Sequence, residues 1–254
     1  MRRISIMATF PARTASVAVA LESIATQVDK TIVVLNEYAA VPPQLATRSI
    51  GNVEFVIPSD DLKDTGKFFY SIQDDDQVFL CDDDVGYPPD YVARMAERWD
   101  TYRSIDAIVG VHGMIYTDFF DGDPAARLVH KFTQGLDDDV FVNQLGTATV
   151  LCSGRQMPGF EFMRTSRRFV DVRFAVHCAL AKIPLICIAR ENGWLKQLPI
   201  KTSIYETFTQ VWPLEVVAEA QRIAGFRFLP AATPAALAGH LSSLESVPGN
   251  PKRE

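Results

Sequence analysis

The chain has 254 residues, of which 48% are hydrophobic and 22% charged, with a formal net charge of -6. These values are ordinary for a globular protein, and the length suits one large α/β domain or two small ones. The acidic balance argues against a general nucleic-acid binder, which carries a basic excess. It leaves a phosphate ligand open, because a bound cation can invert the local charge.

Strand-like apolar runs alternate with helical patterns through the first half of the sequence. Strands are predicted at residues 3–9, 31–36, 52–58, 77–83 and 106–116. Helices are predicted at residues 14–27 and 88–104, and a loop running into a helix at residues 60–72. This alternation predicts a mostly parallel, open α/β sheet with helices on both faces.

The second half has a different pattern, with a polar loop at residues 117–126 and then shorter apolar runs. Short strands are predicted within residues 127–133, 139–144 and 146–153, and a longer strand at residues 184–189. Helices are predicted at residues 168–183 and 212–225. We expect a single domain over residues 1–229, with a frayed tail at residues 230–254.

Four cysteines each lie in or beside an apolar run, and none forms a CxxC pair: Cys81, Cys152, Cys178 and Cys187. We therefore expect buried free thiols in a reducing compartment and no zinc site. The N-terminal apolar run is short for a signal peptide, and no run reaches the roughly 18 apolar residues of a membrane span. We expect a cytoplasmic protein and leave association with the inner face of the membrane open.

Three aspartate triplets stand out: Asp74–Asp76, Asp82–Asp84 and Asp137–Asp139. Ligands of open parallel sheets bind at the carboxyl ends of strands, and only the second triplet follows a strand at that end. The other two are expected to be surface turns. In an extended segment Asp82 and Asp84 share a face. Carboxylates are ligands that Mg²⁺ and Mn²⁺ prefer, so this triplet predicts a divalent-cation site.

Four blocks carry a resemblance to a known family: ATFPARTASVAVALESIATQ, DLKDTGKFF, VFLCDDDVGYPPDYV, and LGTATVLCS with FVDVRFAVHCALAKIPLICIARENGWLK. With them the sequence resembles family-2-like glycosyltransferases of the GT-A fold, of the bacterial polysaccharide-biosynthesis type. The resemblance implies a Rossmann-like sheet with a nucleotide-sugar half at about residues 1–116. It also implies an acceptor half at residues 117–229 with its own smaller set of strands.

The resemblance further implies a nucleoside diphosphate-sugar donor and a glycan or lipid-linked acceptor, with no nucleic-acid partner. Asp82 and Asp84 would ligate Mn²⁺ or Mg²⁺. The residues implied to contact the nucleotide are Thr9, Pro11, Arg13, Asn36, Glu37, Asp64, Lys67, Asp82 and Asp83. Lys67 suits a phosphate as a compact point charge.

An inverting transferase needs a general base for the acceptor hydroxyl. In the resembled family this base is a carboxylate at the start of an acceptor-side helix, and Asp171 is the best match, although it could instead cap that helix. Glu161 and Asp139 are reserve candidates. The sequence leaves inversion and retention open.

Other candidate residues carry weaker signals. His177 lies among helical apolar neighbours and is expected to pack, so no histidine is assigned to the metal. Arg190, Asn192 and Trp194 fit either packing or a loop over the ligands.

Three other classes compete with this interpretation. A catalytically silent sugar-nucleotide-binding module would keep the same motifs. A sugar-1-phosphate nucleotidyltransferase would carry a glycine-rich loop after the first strand, where TFPARTAS has no glycine. A phosphotransfer protein with an aspartate nucleophile would need that aspartate after the first strand, and ISIMATF has none.

Overall fold

The computed structural model describes residues 1–47, 51–117, 120–123, 126–199 and 212–226. The strands in these ranges are β1 (Arg3–Thr9), β2 (Lys30–Leu35), β3 (Val53–Val56), β4 (Gln77–Cys81), β5 (Val85–Gly86), β6 (Ile108–Gly110), β7 (Gly113–Tyr116), β8 (Arg127–His130), β9 (Val140–Phe141), β10 (Gln144–Leu145), β11 (Thr149–Ser153), β12 (Leu185–Cys187) and β13 (Lys196–Gln197). The α-helices are α1 (Thr14–Ala25), α2 (Pro43–Ala46), α3 (Tyr91–Thr101), α4 (Phe160–Met163), α5 (Val170–Leu180) and α6 (Leu214–Ala224). Short 3-10 segments occur at Pro11–Arg13, Lys63–Phe68, Arg103–Ile105 and Gly154–Gln156.

The centre of the protein is an eight-stranded mixed sheet in the order β3-β2-β1-β4-β11-β6-β12-β9. Strands β3, β2, β1 and β4 pair in parallel, and so do β6 and β12. Strand β11 is antiparallel to both β4 and β6, and β9 is antiparallel to β12. The prediction of an α/β fold is confirmed, but the prediction of a mostly parallel sheet is wrong.

The reason for this error is the placement of β11. Its residues were expected in a separate acceptor-side strand set, yet they insert between β4 and β6 in the main sheet. An apolar run shows that a strand is buried but not which strand it pairs with. A smaller set does exist, as the three-stranded sheet β10-β7-β8.

Helices cover both faces of the main sheet, as expected. On one face α1 and α3 bury side chains such as Leu21 and Tyr91 in a core that includes Met7 and Phe79. On the other face α5 and α6 pack over the opposite side chains of the same strands. Strands β1, β2 and β4 are buried on both faces, which explains why they read as continuous apolar runs.

The strand predicted at residues 106–116 is broken in the structure. Its first part is β6 of the main sheet, and its last part is β7 of the small sheet. Thr149 Oγ1 accepts the amides of Val111 and His112, 3.2 and 3.1 Å away, where the chain bends. A Cβ on Gly113 would lie 2.7 Å from Cys187 Cβ, so the crossing needs glycine.

Other boundaries differ by smaller amounts. The third helix begins at Tyr91 because two prolines precede it. The segment within residues 60–72 forms only the 3-10 turns of Lys63–Phe68. The run at 139–144 splits between β9 and β10. The tail predicted to fray, residues 230–254, lies outside the described residues.

The structure also bears on the expectations about the cysteines and about membrane-spanning segments. All four cysteines are buried and free. No helix within the described ranges is long and apolar enough to cross a membrane.

Candidate functional site

The aspartate cluster, defined as Asp82, Asp83 and Asp84, lies at the carboxyl ends of β1 and β4. These two strands are parallel neighbours, so the turn after β1 comes beside the turn after β4. Thr9, the last residue of β1, donates a hydrogen bond of 2.7 Å from Oγ1 to Asp83 Oδ2. Thr9, which the resemblance implies in the nucleotide pocket, therefore lies in contact with the aspartate cluster.

Arg13 is the first cation of the cluster. The chain turns through the 3-10 segment Pro11–Arg13 after β1, which leaves Pro11 exposed and Arg13 only 5% exposed. Arg13 Nη1 lies 2.8 Å from Asp84 Oδ2 and 3.7 Å from Asp83 Oδ1. Arg13 thus balances part of the charge of two neighbouring carboxylates.

Lys67 is the second cation and is almost completely buried. Its Nζ donates to Asp82 Oδ1 and to the carbonyl oxygen and Oγ1 of Thr147, the last two at 3.2 Å. Burial by itself would lower the pKa of Lys67, but the charge of Asp82 leads a set of carboxylates that raise it. Lys67 is therefore a charged ammonium inside the protein.

The 3-10 segment that carries Lys67 packs closely against strand β2. A Cβ on Gly66 would lie 2.9 Å from Val34 Cγ1 of β2. On the other side, the side-chain amide of Asn36 donates to Lys63 O and accepts from the amide of Leu62, both at 2.9 Å. Asn36, predicted to contact the nucleotide, has its amide committed to positioning this segment.

Asp171 lies in the first turn of α5, as predicted. Its Oδ1 accepts the amide and the hydroxyl of Thr147, at 2.8 and 2.7 Å, and the helix has no side-chain cap at its N-cap residue Phe169. Burial raises the pKa of Asp171, and the Thr147 hydrogen bonds and Lys67 partly offset it. Thr147 therefore joins the candidate base to the cation of the aspartate cluster.

Asp64 and Glu37 lie at the margin of this arrangement. Asp64 Oδ1 accepts the amide of Arg168 at 2.8 Å, and burial raises the pKa of Asp64 to about 6. Glu37 is exposed, has a left-handed φ of 61°, and lies 3.4 Å from Lys63 Nζ. Neither side chain hydrogen-bonds to the aspartate cluster.

The two reserve candidates for the base have their partners outside the aspartate cluster. Glu161 is exposed and pairs with Arg164 at 2.6 Å on α4. Asp139 accepts the hydroxyl of Tyr102 and the amide of Ala189, at 2.8 and 2.6 Å. Asp171 is thus the carboxylate outside the triplet that the structure links to Lys67.

The residues with weak signals mostly pack. His177 Nε2 lies 3.1 Å from the carbonyl oxygen of Gln156, as expected for a packing histidine. Arg190 is buried and donates to three backbone carbonyl groups. Trp194 packs on Tyr91 and under the guanidinium of Arg94, and Asn192 is exposed.

The other two triplets are surface turns only in part. Asp74 and Asp75 are exposed before β4, but Asp76 is 2% exposed and pairs with Arg2 at 2.7 Å. In the third triplet Asp139 is likewise held by hydrogen bonds. A run of like residues does not reveal which member turns inward.

The sequence-based prediction missed two residues of the site. Thr147 joins Lys67 to Asp171, and its only signal was its position in the block LGTATVLCS. Tyr87 accepts the amide of Asp82 and donates to Ala148 O, both at 2.8 Å, and so ties the cluster to the Thr147 turn. Tyrosine after the triplet had suggested only a turn.

The aspartate cluster holds more negative charge than its surroundings favour. Burial raises the pKa of Asp83 to about 7, with repulsion from Asp84 and Asp82 acting in the same direction against the Thr9 hydrogen bond. Burial and repulsion from Asp82 also raise the pKa of Asp84, against Arg13. A further cation here would relieve both effects.

The donor set fits a hard divalent cation. Asp82 is 37% exposed in its side chain and Asp84 20%, so both can meet a ligand from solvent although Lys67 and Arg13 contact them. Each carboxylate has about four lone-pair sites, which allows a cation and a hydrogen bond together. Among the described residues no three metal-binding side chains converge, so phosphate oxygens and water would complete the shell.

The stability of the metal-free protein should fall as pH rises from about 4 to about 7. Asp83 has a folded pKa of about 7, whereas an unfolded aspartate titrates near 3.9. The folded state therefore binds more protons in this window, and the free energy of unfolding decreases with pH. Between pH 5 and 8 we expect a loss on the order of 3 kcal/mol, measured by urea unfolding.

The Asp83→Asn variant supplies the control, because asparagine keeps an oxygen for Thr9 and cannot ionise. Its stability should be flatter with pH over the same window. A wild-type slope in this variant, or stability that rises towards pH 8, would contradict the assignment.

The described residues thus form an α/β protein with a polar site at one edge of a mixed sheet. No protein-family model matches the chain, and no curated protein matches it. The function therefore has to be argued from the chemistry of the site, because the fold alone does not determine it.

Proposed function

We propose that the protein is a metal-dependent glycosyltransferase of the GT-A fold. It would move a sugar from a nucleoside diphosphate-sugar to a hydroxyl of a glycan or lipid-linked acceptor. The observation that carries this proposal is one hydrogen-bonded chain across the site, in which Asp82 contacts Lys67, Lys67 contacts Thr147, and Thr147 holds Asp171. A cation-binding carboxylate and a candidate base are thereby joined through a single pair of side chains.

The donor side has the groups that a diphosphate needs. When bound, Mn²⁺ or Mg²⁺ held by Asp82 and Asp84 would neutralise charge on the diphosphate leaving group. Arg13 and Lys67 supply positive charge beside the same carboxylates. Thr9 orients Asp83, and the carboxyl edge of parallel strands is where α/β proteins bind such ligands.

The acceptor side needs a base, and Asp171 supports that role. Both hydrogen bonds from Thr147 go to Oδ1, which leaves Oδ2 to take the proton of the acceptor hydroxyl. A raised pKa strengthens a carboxylate as a proton acceptor at neutral pH. Attack of that hydroxyl from the side opposite the diphosphate would invert the sugar.

A silent sugar-nucleotide-binding module is the second candidate. One observation favours it: Lys67 and Arg13 already pair with Asp82 and Asp84, so the carboxylates have partners without any metal. Such a module would bind the nucleotide and show no transfer or hydrolysis of the donor.

The first test is thermal melting against a panel of nucleoside diphosphates, with and without Mn²⁺. A ligand at 100 times its Kd stabilises a protein by about 2.7 kcal/mol, which is a rise of roughly 5 °C or more at this size. We expect one nucleotide to give that rise only with Mn²⁺. A rise without metal favours the silent module, and no rise with any pair contradicts both functions.

A further inference from the structure

The small sheet β10-β7-β8 packs against α5 through β10. Alternate residues of a strand share a face. Arg127 and Val129 of β8 therefore face the same side as Met114 and Tyr116 of β7, which belong to the core that α5 and α6 cover. Arg127 lies directly opposite Tyr116 in the strand register, whereas His130 faces the other way.

Arg127 has poor partners for a guanidinium. Its Cζ lies 5.1 Å from the centre of the Trp212 ring, and Nη1 lies 3.6 Å from Met114 Sδ. Its side chain also hydrogen-bonds to Tyr116, while its Nε is buried and has no hydrogen-bond partner among the described residues. In the part of the chain that the structure describes, no carboxylate forms an ion pair with Arg127.

The other inward-facing arginines show how such a group is normally satisfied. Arg13 pairs with carboxylates of the aspartate cluster, and Arg173, whose Nε is unbonded like that of Arg127, pairs with Glu219, so the missing carboxylate is what distinguishes Arg127. Arg190 has no carboxylate but donates to backbone carbonyl groups at 2.8 to 3.0 Å. A half-buried guanidinium with a thioether, a phenol and an indole face around it costs free energy unless an anion joins it.

The location of Arg127 relates it to the acceptor side. The Trp212 ring beneath Arg127 packs 6.3 Å from the Phe169 ring, and Phe169 immediately precedes α5, in whose first turn Asp171 lies. Tyr116 lies opposite Arg127 in the strand register. Burial raises the pKa of Tyr116, the charge of Arg127 lowers it, and the charge of Asp171 raises it. Through the Trp212 and Phe169 rings, Arg127 lies near the segment that leads into α5.

Opposite charges lie near different parts of the site. The aspartate cluster is acidic, while His112, beside the Thr147 turn, has its pKa lowered to about 4 by burial and then by Arg190 and Arg127. Arg190 and Arg127 thus place positive charge near the Thr147 turn. An anionic acceptor would be drawn to that charge and away from the aspartate cluster.

We propose that Arg127 binds an anionic group of the acceptor, a carboxylate or a phosphate, while the acceptor hydroxyl reaches Asp171. The planar guanidinium presents two parallel N–H groups that match either oxyanion. This assignment rests on the proposed transferase function, and it narrows the acceptor to an acidic sugar or a phosphate-bearing carrier.

The test measures melting midpoints with inorganic phosphate, glucuronate and uncharged glucose, at constant ionic strength. We expect a saturable rise with phosphate or glucuronate and none with glucose. A rise with phosphate alone indicates a phosphate-bearing acceptor, and a rise with glucuronate alone indicates a carboxylate. Absence of a rise with both anions overturns the inference.

Variants locate the binding. Arg127→Gln should lose the rise, whereas Arg155→Gln, an exposed arginine paired with Asp106 at the opposite edge, should keep it. Arg127→Lys keeps the charge but loses the planar fork, and should bind the anion at least about 10-fold more weakly. If Arg127→Gln does not fold, the affinity of Arg127→Lys for the anion tests the inference instead.

A rise that survives in Arg127→Gln overturns the inference. A rise that survives there but disappears in Lys67→Met would locate the phosphate on the donor side, which overturns the inference and leaves the proposed function intact. The proposed function fails separately, if no nucleotide with Mn²⁺ raises the midpoint of the wild-type protein.

Discussion

Turnover of the Asp84→Asn variant should fall by at least about 100-fold, the scale of losing one preorganised charge-stabilising group. Asparagine keeps an oxygen for Arg13, which lies 2.8 Å from Asp84 Oδ2, but it loses the negative charge that would hold the divalent cation. Sugar transfer and donor hydrolysis, measured with the donor whose nucleotide raises the melting midpoint, provide the rates. The Mn²⁺-dependent part of that midpoint rise should also disappear.

The matched control is Asp75→Asn. Asp75 belongs to another aspartate triplet, is exposed, and among the described residues forms an ion pair only with the N-terminal amine, at 3.1 Å. Its variant should retain full turnover and the full Mn²⁺ response. Full turnover in Asp84→Asn, or in the wild-type protein with metal chelated, would show that the reaction needs no cation at this site.

The Asp171→Asn variant should lose a factor of about 10² to 10⁴ in turnover, the usual contribution of a general base. Its donor binding should be unchanged, because the asparagine side-chain oxygen would still accept the two hydrogen bonds that Thr147 donates to Asp171 Oδ1 at 2.7 and 2.8 Å. The pKa of Asp171 is raised by burial, and the base is active only when ionised. The wild-type rate should therefore fall as pH falls through that pKa, and the residual rate of the variant should not.

Glu161→Gln is the control for this prediction, since Glu161 is exposed and, within the ranges that the structure describes, pairs only with Arg164. It should leave both the rate and the pH profile unchanged. An Asp171→Asn variant with wild-type turnover would exclude the base and favour a retaining reaction. A variant that also loses the nucleotide response would reveal a structural role instead.

The donor half of the site was largely predictable from the sequence. Strands β1 and β4 read as continuous apolar runs because they are buried on both faces, and the polar residues after each run had to lie at one sheet edge. That logic placed Asp82–Asp84 at the edge, and the likeness to glycosyltransferases added Thr9 and Arg13, which contact Asp83 and Asp84. The likeness to glycosyltransferases added Lys67 and Asp171, which the structure links through Thr147.

The rest depended on contacts between distant segments, which local pattern does not encode. The run at residues 146–153 is equally apolar whether it forms an outer strand or a central one. The bend at His112 follows from the hydroxyl of Thr149 and the small size of Gly113 against Cys187. Arg127 gave no signal at all, because an arginine in a short strand reads as a solvent-facing residue.

The insertion of β11 beside β4 has a consequence for how the chain reaches its native state. Strand β4 has β1 on one side and β11 on the other, with Thr149 of β11 opposite Cys81 of β4. Because β11 follows β4 by nearly 70 residues, it is synthesised much later. Until residues 149–153 emerge, one edge of β4 is open, and an unpaired apolar edge invites association with other chains. Closing so long a loop also slows folding. A fragment of residues 1–116 would contain the aspartates but leave that edge of β4 exposed, so we expect it to aggregate. It would therefore not serve as a separate nucleotide-binding module.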